Sequence, residues 1–257
     1  MTSEPTLAMP ANQKSNHGNQ ARKVILAVFA HPDDETYLGP VLVKYARQGM
    51  RVILLVVTDG RLGATSFGGY PAGDELAAAR REEMLRAAEI LGVELIHWKY
   101  HDQLRSSDGF RGFIAQCRGI LEDLDRVIDQ VQPDVVITFG PDGGYPHIDH
   151  KVVGSSVTQV ILSKQREPQP QLLYFGIPVS QAGGKRVYGA VDDAYLTVKI
   201  SYTEEDLETA KEAALCHKTQ LRPEHIESTF ANYRKHGRVV HFRPFVPPSE
   251  PKTDLFA

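Results

Sequence analysis

The sequence predicts an α/β protein whose sheet is mostly parallel and covered by helices on both faces. Two observations carry that prediction. Short apolar runs of strand length alternate with longer segments of helical periodicity. The runs are apolar throughout rather than alternating, as strands buried on both faces are. Strands separated by helices build βαβ units, and these give a parallel sheet between helix layers.

The elements follow in order. Val24 to Ala30 is apolar at every position and is the first strand. A helix is expected from about Tyr37 to Arg47, with Pro40 near its first turn and Gly49 at its end. Arg51 to Val57 is a second buried strand. From Asp74 to Leu91, residues Leu76, Ala79, Ala87, Ala88 and Leu91 recur at helical spacing and Gly92 stops the helix. Glu94 to Trp98 is a short third strand. Gly112 to Val131 is a helix with Ile114, Cys117, Leu121, Leu124 and Ile128 on one stripe, and Asp134 to Phe139 is the fourth strand. Lys151 to Ser163 reads as helix, Arg166 to Gln171 as linker, and Leu172 to Gly176 and Tyr195 to Ile200 as strands. Thr203 to Cys216 is a helix that opens on a capping box, with Asp206 in place of the usual Glu. Residues 1–22 are polar and aperiodic and read as a disordered leader. A single domain is expected over 23–243, followed by an irregular Pro-rich tail over 244–257.

Composition narrows the function. Of 257 residues, 42% are apolar and 24% charged, the balance of an ordinary globular protein. A net charge of -3 offers no basic field for nucleic acid. The longest apolar run, Val24 to Ala30, is far short of the roughly 18 residues a membrane span needs. The start of the chain has no apolar secretory core, and the two cysteines, Cys117 and Cys216, form no CxxC. A cytoplasmic protein is expected. No GxGxxG or P-loop sequence supports a dinucleotide or ATP role.

Ligands of open α/β sheets bind beyond the carboxyl ends of the strands. There the first strand runs into His31-Pro32-Asp33-Asp34-Glu35, and the fourth is followed by Gly143-Gly144-Tyr145-Pro146-His147-Ile148-Asp149-His150. Both segments are dense in the nitrogen and oxygen donors that zinc prefers, and a catalytic zinc takes three of them. His31 and Asp34 can face one point across a turn. Of His147 and His150, one is expected to bind. Asp33, a carboxylate that is not a ligand, is the candidate general base. A second His could polarise a carbonyl or protonate a leaving amine if an acid such as Asp149 orients it. Either segment alone is equally well read as a solvated turn with a capped helix. The two together, each after a buried strand, favour a site.

These segments resemble the zinc-dependent N-acetylglucosaminyl deacetylases, the LmbE-like or PIG-L superfamily. The resemblance runs from about Val24 to Gln220. Smaller matches are Thr58-Asp59-Gly60-Arg61-Leu62-Gly63, Arg80-Arg81-Glu82-Glu83, Ile90 to Val93, Asp102 and His217-Lys218-Thr219-Gln220. It implies a Rossmann-like three-layer sandwich. It implies zinc ligands His31, Asp34 and His150, with Asp33 as general base. It assigns His147 to the oxyanion or to acid catalysis, with Asp149 as its partner. Two positions depart from many relatives: Ile148 stands where they have Pro, and Arg61 where they have Glu.

Arg61, Arg80, Asp102 and His217 are candidate substrate contacts. Arg80 reads equally well as a helix-surface charge paired with Glu83. The expected reaction is removal of acetate from an N-acetylated amino sugar, a small-molecule substrate, with zinc as cofactor and iron(II) able to occupy similar donors. The alternatives are an amidase acting on a thiol conjugate or acylated glycopeptide, and a non-catalytic sugar- or metal-binding module. The resemblance also implies self-association.

Overall fold

The computed structural model describes residues 22–64, 69–104, 109–182 and 189–256. Most of the expected leader, and Gly68 of a Gly-rich segment before the second helix, lie outside the described residues.

In chain order the elements are β1 (Val24–Phe29), α1 (Gly39–Arg47), β2 (Arg51–Thr58), α2 (Asp74–Leu91), β3 (Glu94–Tyr100), α3 (Gly109–Val131), β4 (Val135–Phe139), α4 (Ile148–Ser163), β5 (Gln171–Pro178), β6 (Ala190–Val191), β7 (Val198–Ser201), α5 (Glu204–Ala214), α6 (Pro223–Lys235) and β8 (Val239–Pro244). The sheet order is β3-β2-β1-β4-β5-β8-β7, with β6 paired to β5. From β3 to β5 every pairing is parallel, while β8 runs antiparallel to both β5 and β7. Helices α1, α2 and α5 pack together, and α3 packs on α4, so the sheet lies between two helix layers. This is the α/β architecture the alternation of elements implied.

The core explains the continuous apolar runs. Every side chain from Ile25 to Ala30, and from Val52 to Val57, is buried. Two threonines interrupt these strands at their carboxyl ends without cost. Thr58 Oγ1 donates to the Ala30 carbonyl at 2.8 Å and Thr138 Oγ1 to the Val28 carbonyl at 2.9 Å, so neither hydroxyl is buried unpaired.

Two expectations need correction. Helix α4 starts at Ile148, not Lys151, because His147 caps it: its Nδ1 accepts from the Asp149 amide at 3.3 Å. Imidazole is outside the usual N-cap set, so the boundary was hidden. Tyr195 lies in a 3-10 turn, and the strand begins only at Val198. Beyond β8, Leu255 is buried in the core and its amide donates to Tyr45 Oη at 3.0 Å.

Gly154 lets α4 lie close to the end of β4. A Cβ there would fall on the Phe139 carbonyl oxygen, a backbone atom that cannot step aside, and 3.1 Å from its carbon. Gly154→Ala is therefore expected to destabilise the fold by about 1–2 kcal/mol, overpacking outweighing the gain in helix propensity. Urea unfolding checks this, and an unchanged or raised midpoint would contradict it.

Candidate active site

In the parallel part of the sheet, strand order reverses between β1 and β4. Their carboxyl ends diverge there and leave a crevice. The chain leaving β1 carries His31 to Glu35, and the chain leaving β4 carries Gly140 to His150. Both His/Asp segments therefore meet at one place.

Three side chains converge in the crevice. His150 Nε2 lies 3.1 Å from Asp34 Oδ1 and 3.2 Å from His31 Nδ1. His31 Nδ1 lies 3.5 Å from Asp34 Oδ2. A tetrahedral zinc with bonds of about 2.0–2.2 Å needs donor–donor separations of about 3.3–3.6 Å, and the distances among these side chains, which reach both Asp34 oxygens, are of that order. The rings of His31, His147 and His150 form a looser group, with one nitrogen from each within 4.8 Å of the others. The crevice therefore presents donors able to hold a metal.

Each converging side chain is held from behind. His150 Nδ1 lies 2.8 Å from the Gly143 carbonyl, which turns Nε2 toward the crevice. His31 Nε2 lies 2.9 Å from Asp149 Oδ2, which turns Nδ1 inward. Asp34 Oδ2 accepts from the amides of Ala30 at 3.1 Å and His31 at 2.8 Å. Such outer partners fix the tautomer and ring orientation of metal-binding groups. The Phe139 ring stacks on His150 with centroids 4.0 Å apart.

Electrostatics bind the cluster tightly. Burial opposes a charge on His31, but hydrogen bonds to Asp149 and Asp34 and the charge of Asp34 outweigh it and push the ring up to about 10. Burial would raise Asp34, yet the charge of His150 and the hydrogen bonds from His150 and His31 hold its carboxyl well below the usual range. A cation entering the site takes over the role of these protons.

Asp33 stands beside this triangle in an unusual conformation. Its φ is 110°, a left-handed value that non-glycine residues rarely adopt. Two contacts hold it there. Its amide donates to Glu35 Oε2 at 3.0 Å, and Glu35 Oε1 is in turn 2.5 Å from His217 Nε2. Its carboxylate Oδ2 lies 3.3 Å from Arg80 Nη2. Burial pushes Asp33 up to about 6, against the lowering effect of Arg80.

Arg80 is only 3% exposed, which excludes the helix-surface reading. Its guanidinium donates to the Pro32 carbonyl, and to the Gly60 carbonyl at 3.1 Å. A Cβ at Gly60 would meet that guanidinium within 2.6 Å, so the glycine-containing turn after β2 is shaped to receive it. Glu83 instead accepts from the Thr219 amide at 2.9 Å and hydroxyl at 2.7 Å.

The other candidates fall into place around this centre. His217 is buried against Glu35, whose other oxygen accepts from the Asp33 amide. Arg61 is part-exposed and pairs with Asp59 at 2.6 Å and Asp74 at 3.0 Å. Asp102 is buried, with Oδ2 accepting from the Leu62 amide at 2.7 Å and Oδ1 without a hydrogen-bond partner among the described residues. Burial raises its carboxyl. Asp149 has more than one partner. Asp149 Oδ2 bonds His31 and accepts from the Gln103 amide, and it stands 3.9 Å from His147 Nδ1. The cause is the helix start: Asp149 points inward from the first turn of α4, while His147 is the cap outside it.

Sequence reasoning missed Glu35 as a partner of His217, although both sit in quoted motifs. It also missed Phe139 and Gln103. Nothing in the sequence marks Gln103, because its contact is made through the backbone.

The family described as PIG-L, GlcNAc-PI de-N-acetylase, matches residues 26–161. The chain is 31% identical over 221 residues to the 1D-myo-inositol 2-acetamido-2-deoxy-alpha-D-glucopyranoside deacetylase of Corynebacterium glutamicum, covering 77% of this chain and 74% of that one. It is 35% identical over 136 residues to the diacetylchitobiose deacetylase of Thermococcus kodakarensis, covering 51% and 46%. Among solved structures, the fold resembles the 4-carboxy-2-hydroxymuconate hydratase GalB of Pseudomonas putida KT2440, with a TM-score of 0.68 over 90% of this chain and 100% of that one, at 19% identity. That last likeness concerns the fold alone.

Proposed function

The chain belongs to the GlcNAc-PI de-N-acetylase (PIG-L) family, and from that premise we propose that it is a zinc-dependent N-deacetylase acting on an N-acetylated amino sugar. The observation that carries the reading is the convergence of His31, Asp34 and His150 at 3.1–3.5 Å with the Asp33 carboxylate beside them. His31, Asp34 and His150 are the proposed metal ligands, being the tighter of the two available sets. Zinc held there supplies Lewis acidity and an acidified water.

The chain's own residues do the rest. Asp33, with a pKa of about 6, is mostly ionised at neutral pH and so able to take a proton from water. The water oxygen adds to the acetamide carbonyl carbon. His147 accepts the Asp149 amide at Nδ1, so in its neutral form the proton sits on Nε2. Burial, and then the charge of His31, lower its pKa and favour that form. The Nε2–H is thus free to donate to the developing oxyanion, an interaction worth about 3–4 kcal/mol elsewhere. The carbon–nitrogen bond then breaks, and the proton held by Asp33 passes to the departing amine. One water is consumed, and acetate and a free amino sugar are produced. Arg61 and Asp102 are the proposed sugar contacts.

Arg80 acts on Asp33. Its charge lowers the Asp33 pKa, so Arg80→Gln is expected to raise it. The acid limb of the activity profile then moves to higher pH, and the loss is larger at pH 6 than at pH 8. An unshifted limb in kcat/KM against pH would show that Arg80 does not set the base.

Among the described residues no helix is long and apolar enough to cross a membrane. The two free cysteines, both half-buried, suit the reducing cytoplasm, which is the compartment proposed. The reading is tested by primary-amine release from zinc-loaded protein across N-acetylglucosamine, its glycosides and its oligomers. Release from at least one of these supports it. Metal binding without hydrolysis of any of them would instead support a binding module.

A further inference from the structure

A second cavity of about 340 Å³ opens beside the crevice, lined by Tyr37, Phe139, Gly144, Tyr145, Phe175 and Ile177. Among the described residues no charged one lines it. It begins one ring away from the proposed ligand His150. Phe139 stacks flat on that imidazole at 4.0 Å, and Tyr145 meets it edge-on at 4.7 Å. Tyr145 also faces His147 at 5.8 Å, and Tyr37 packs against Phe175 at 5.6 Å across the cavity wall. The floor is firm, because Phe139 and Phe175 are buried strand residues paired to each other in the β4–β5 register.

The two sides of the crevice differ in chemistry. The sheet order places β2 and β3 on one side of β1, and β4 and β5 on the other. The β2–β3 side carries the part-exposed Arg61 and the buried carboxylates Asp59 and Asp102. The β4–β5 side presents the aromatic cavity. An amide substrate also has two ends. Its nitrogen carries the sugar, whose hydroxyls need polar partners, and its carbonyl carries the acyl chain, which needs none. A sugar lying on the polar side directs the acyl chain to the aromatic side. The volume is at the lower end of the range for small-molecule pockets and far exceeds one methyl group.

Resting on the amidase reading above, we propose that this cavity is an acyl subsite and that the enzyme hydrolyses N-acyl amino sugars with chains longer than acetyl. Each methylene buried there contributes about 0.8 kcal/mol, or about fourfold in kcat/KM. Phe175 and Ile177 set the depth of the cavity, and its limit sets the longest chain accepted.

The test uses two substrate series with the zinc-loaded full chain. In one, N-acetyl-, N-propanoyl- and N-butanoylglucosamine share the same sugar. In the other, methyl, butyl and phenyl glycosides share the N-acetyl group. The expected result is a rise of about fourfold per methylene along the acyl series and little change along the glycoside series. Ile177→Trp, which narrows the cavity, is expected to flatten the acyl slope. The wild-type series stands on its own if that variant does not fold. A fall along the acyl series would overturn the proposal. So would a rise confined to the glycosides, which would make the cavity an aglycone site. So would a slope that Ile177→Trp leaves unchanged in a folded protein. Hydrolysis of the acetyl substrate alone would overturn the acyl subsite and leave the deacetylase reading intact. No amine from either series would overturn both.

Discussion

Asp33→Asn is expected to lower kcat by about 10²–10⁴-fold while leaving metal content unchanged. The substitution keeps the shape of the side chain and removes only its capacity to take a proton. The fold should accept it. Asn tolerates left-handed backbone better than most residues, and the Asp33 φ of 110° is the strained feature of the site. An amide oxygen can still face Arg80, whose Nη2 lies 3.3 Å from the present carboxylate. The amide donated to Glu35 Oε2 is a backbone group and survives. Thermal unfolding and metal analysis of the variant therefore separate a lost base from a lost fold. Wild-type turnover in a folded, metal-loaded Asp33→Asn protein would remove Asp33 from the mechanism.

The second large effect is on the metal. His150 is fully buried and contributes two edges of the donor triangle, at 3.1 and 3.2 Å. His150→Ala removes the ligand atom, the ring stacked on Phe139 and the partner of the Gly143 carbonyl. Loss of an outer-shell partner alone costs about 10–100-fold in metal affinity, and loss of a ligand should exceed that. Zinc content after dialysis should fall from about one ion per chain to a small fraction, and activity with it. Asp34→Asn, which keeps the packing, is the control for a folding defect and should also weaken binding. An unchanged metal content in His150→Ala would remove His150 from the ligand set, whereas loss in His150→Ala with none in Asp34→Asn would favour His31, His147 and His150, the looser group.

Legibility in the sequence followed how locally each feature is encoded. Strands β1 and β2 are buried on both faces, so their continuous apolar runs mark them directly. Helix α2 runs from Asp74 to Leu91 as its periodicity and Gly92 indicate. The Thr203–Asp206 capping box is a four-residue signal and is present, with the Thr203 amide donating to Asp206 Oδ2 at 2.9 Å. Strand β8 is different. Its place between β5 and β7, antiparallel to both, is set by tertiary pairing that no local pattern announces. Helix α6 buries only Ile226 and Phe230, too thin a stripe to read.

The site shows the same division. That His31 and His150 come together follows from two motifs after two strands that proved adjacent. That Asp149 lies closer to His31 than to His147 depends on where α4 begins, and hence on an imidazole acting as a helix cap. That Arg80 supports Asp33 from inside the fold depends on the close turn at Gly60. Those are contacts between distant segments, and residue type alone does not select among them.

The most direct test of a metal-dependent deacetylase is to follow free acetate by proton NMR while the protein acts on an N-acetylglucosaminide. Acetate is expected to appear in equal amount with the free amine. It should stop when a chelator strips the metal and resume when zinc is returned. Acetate release that continues undiminished in the metal-stripped protein, or no acetate from any N-acetylated amino sugar with zinc bound, would contradict it.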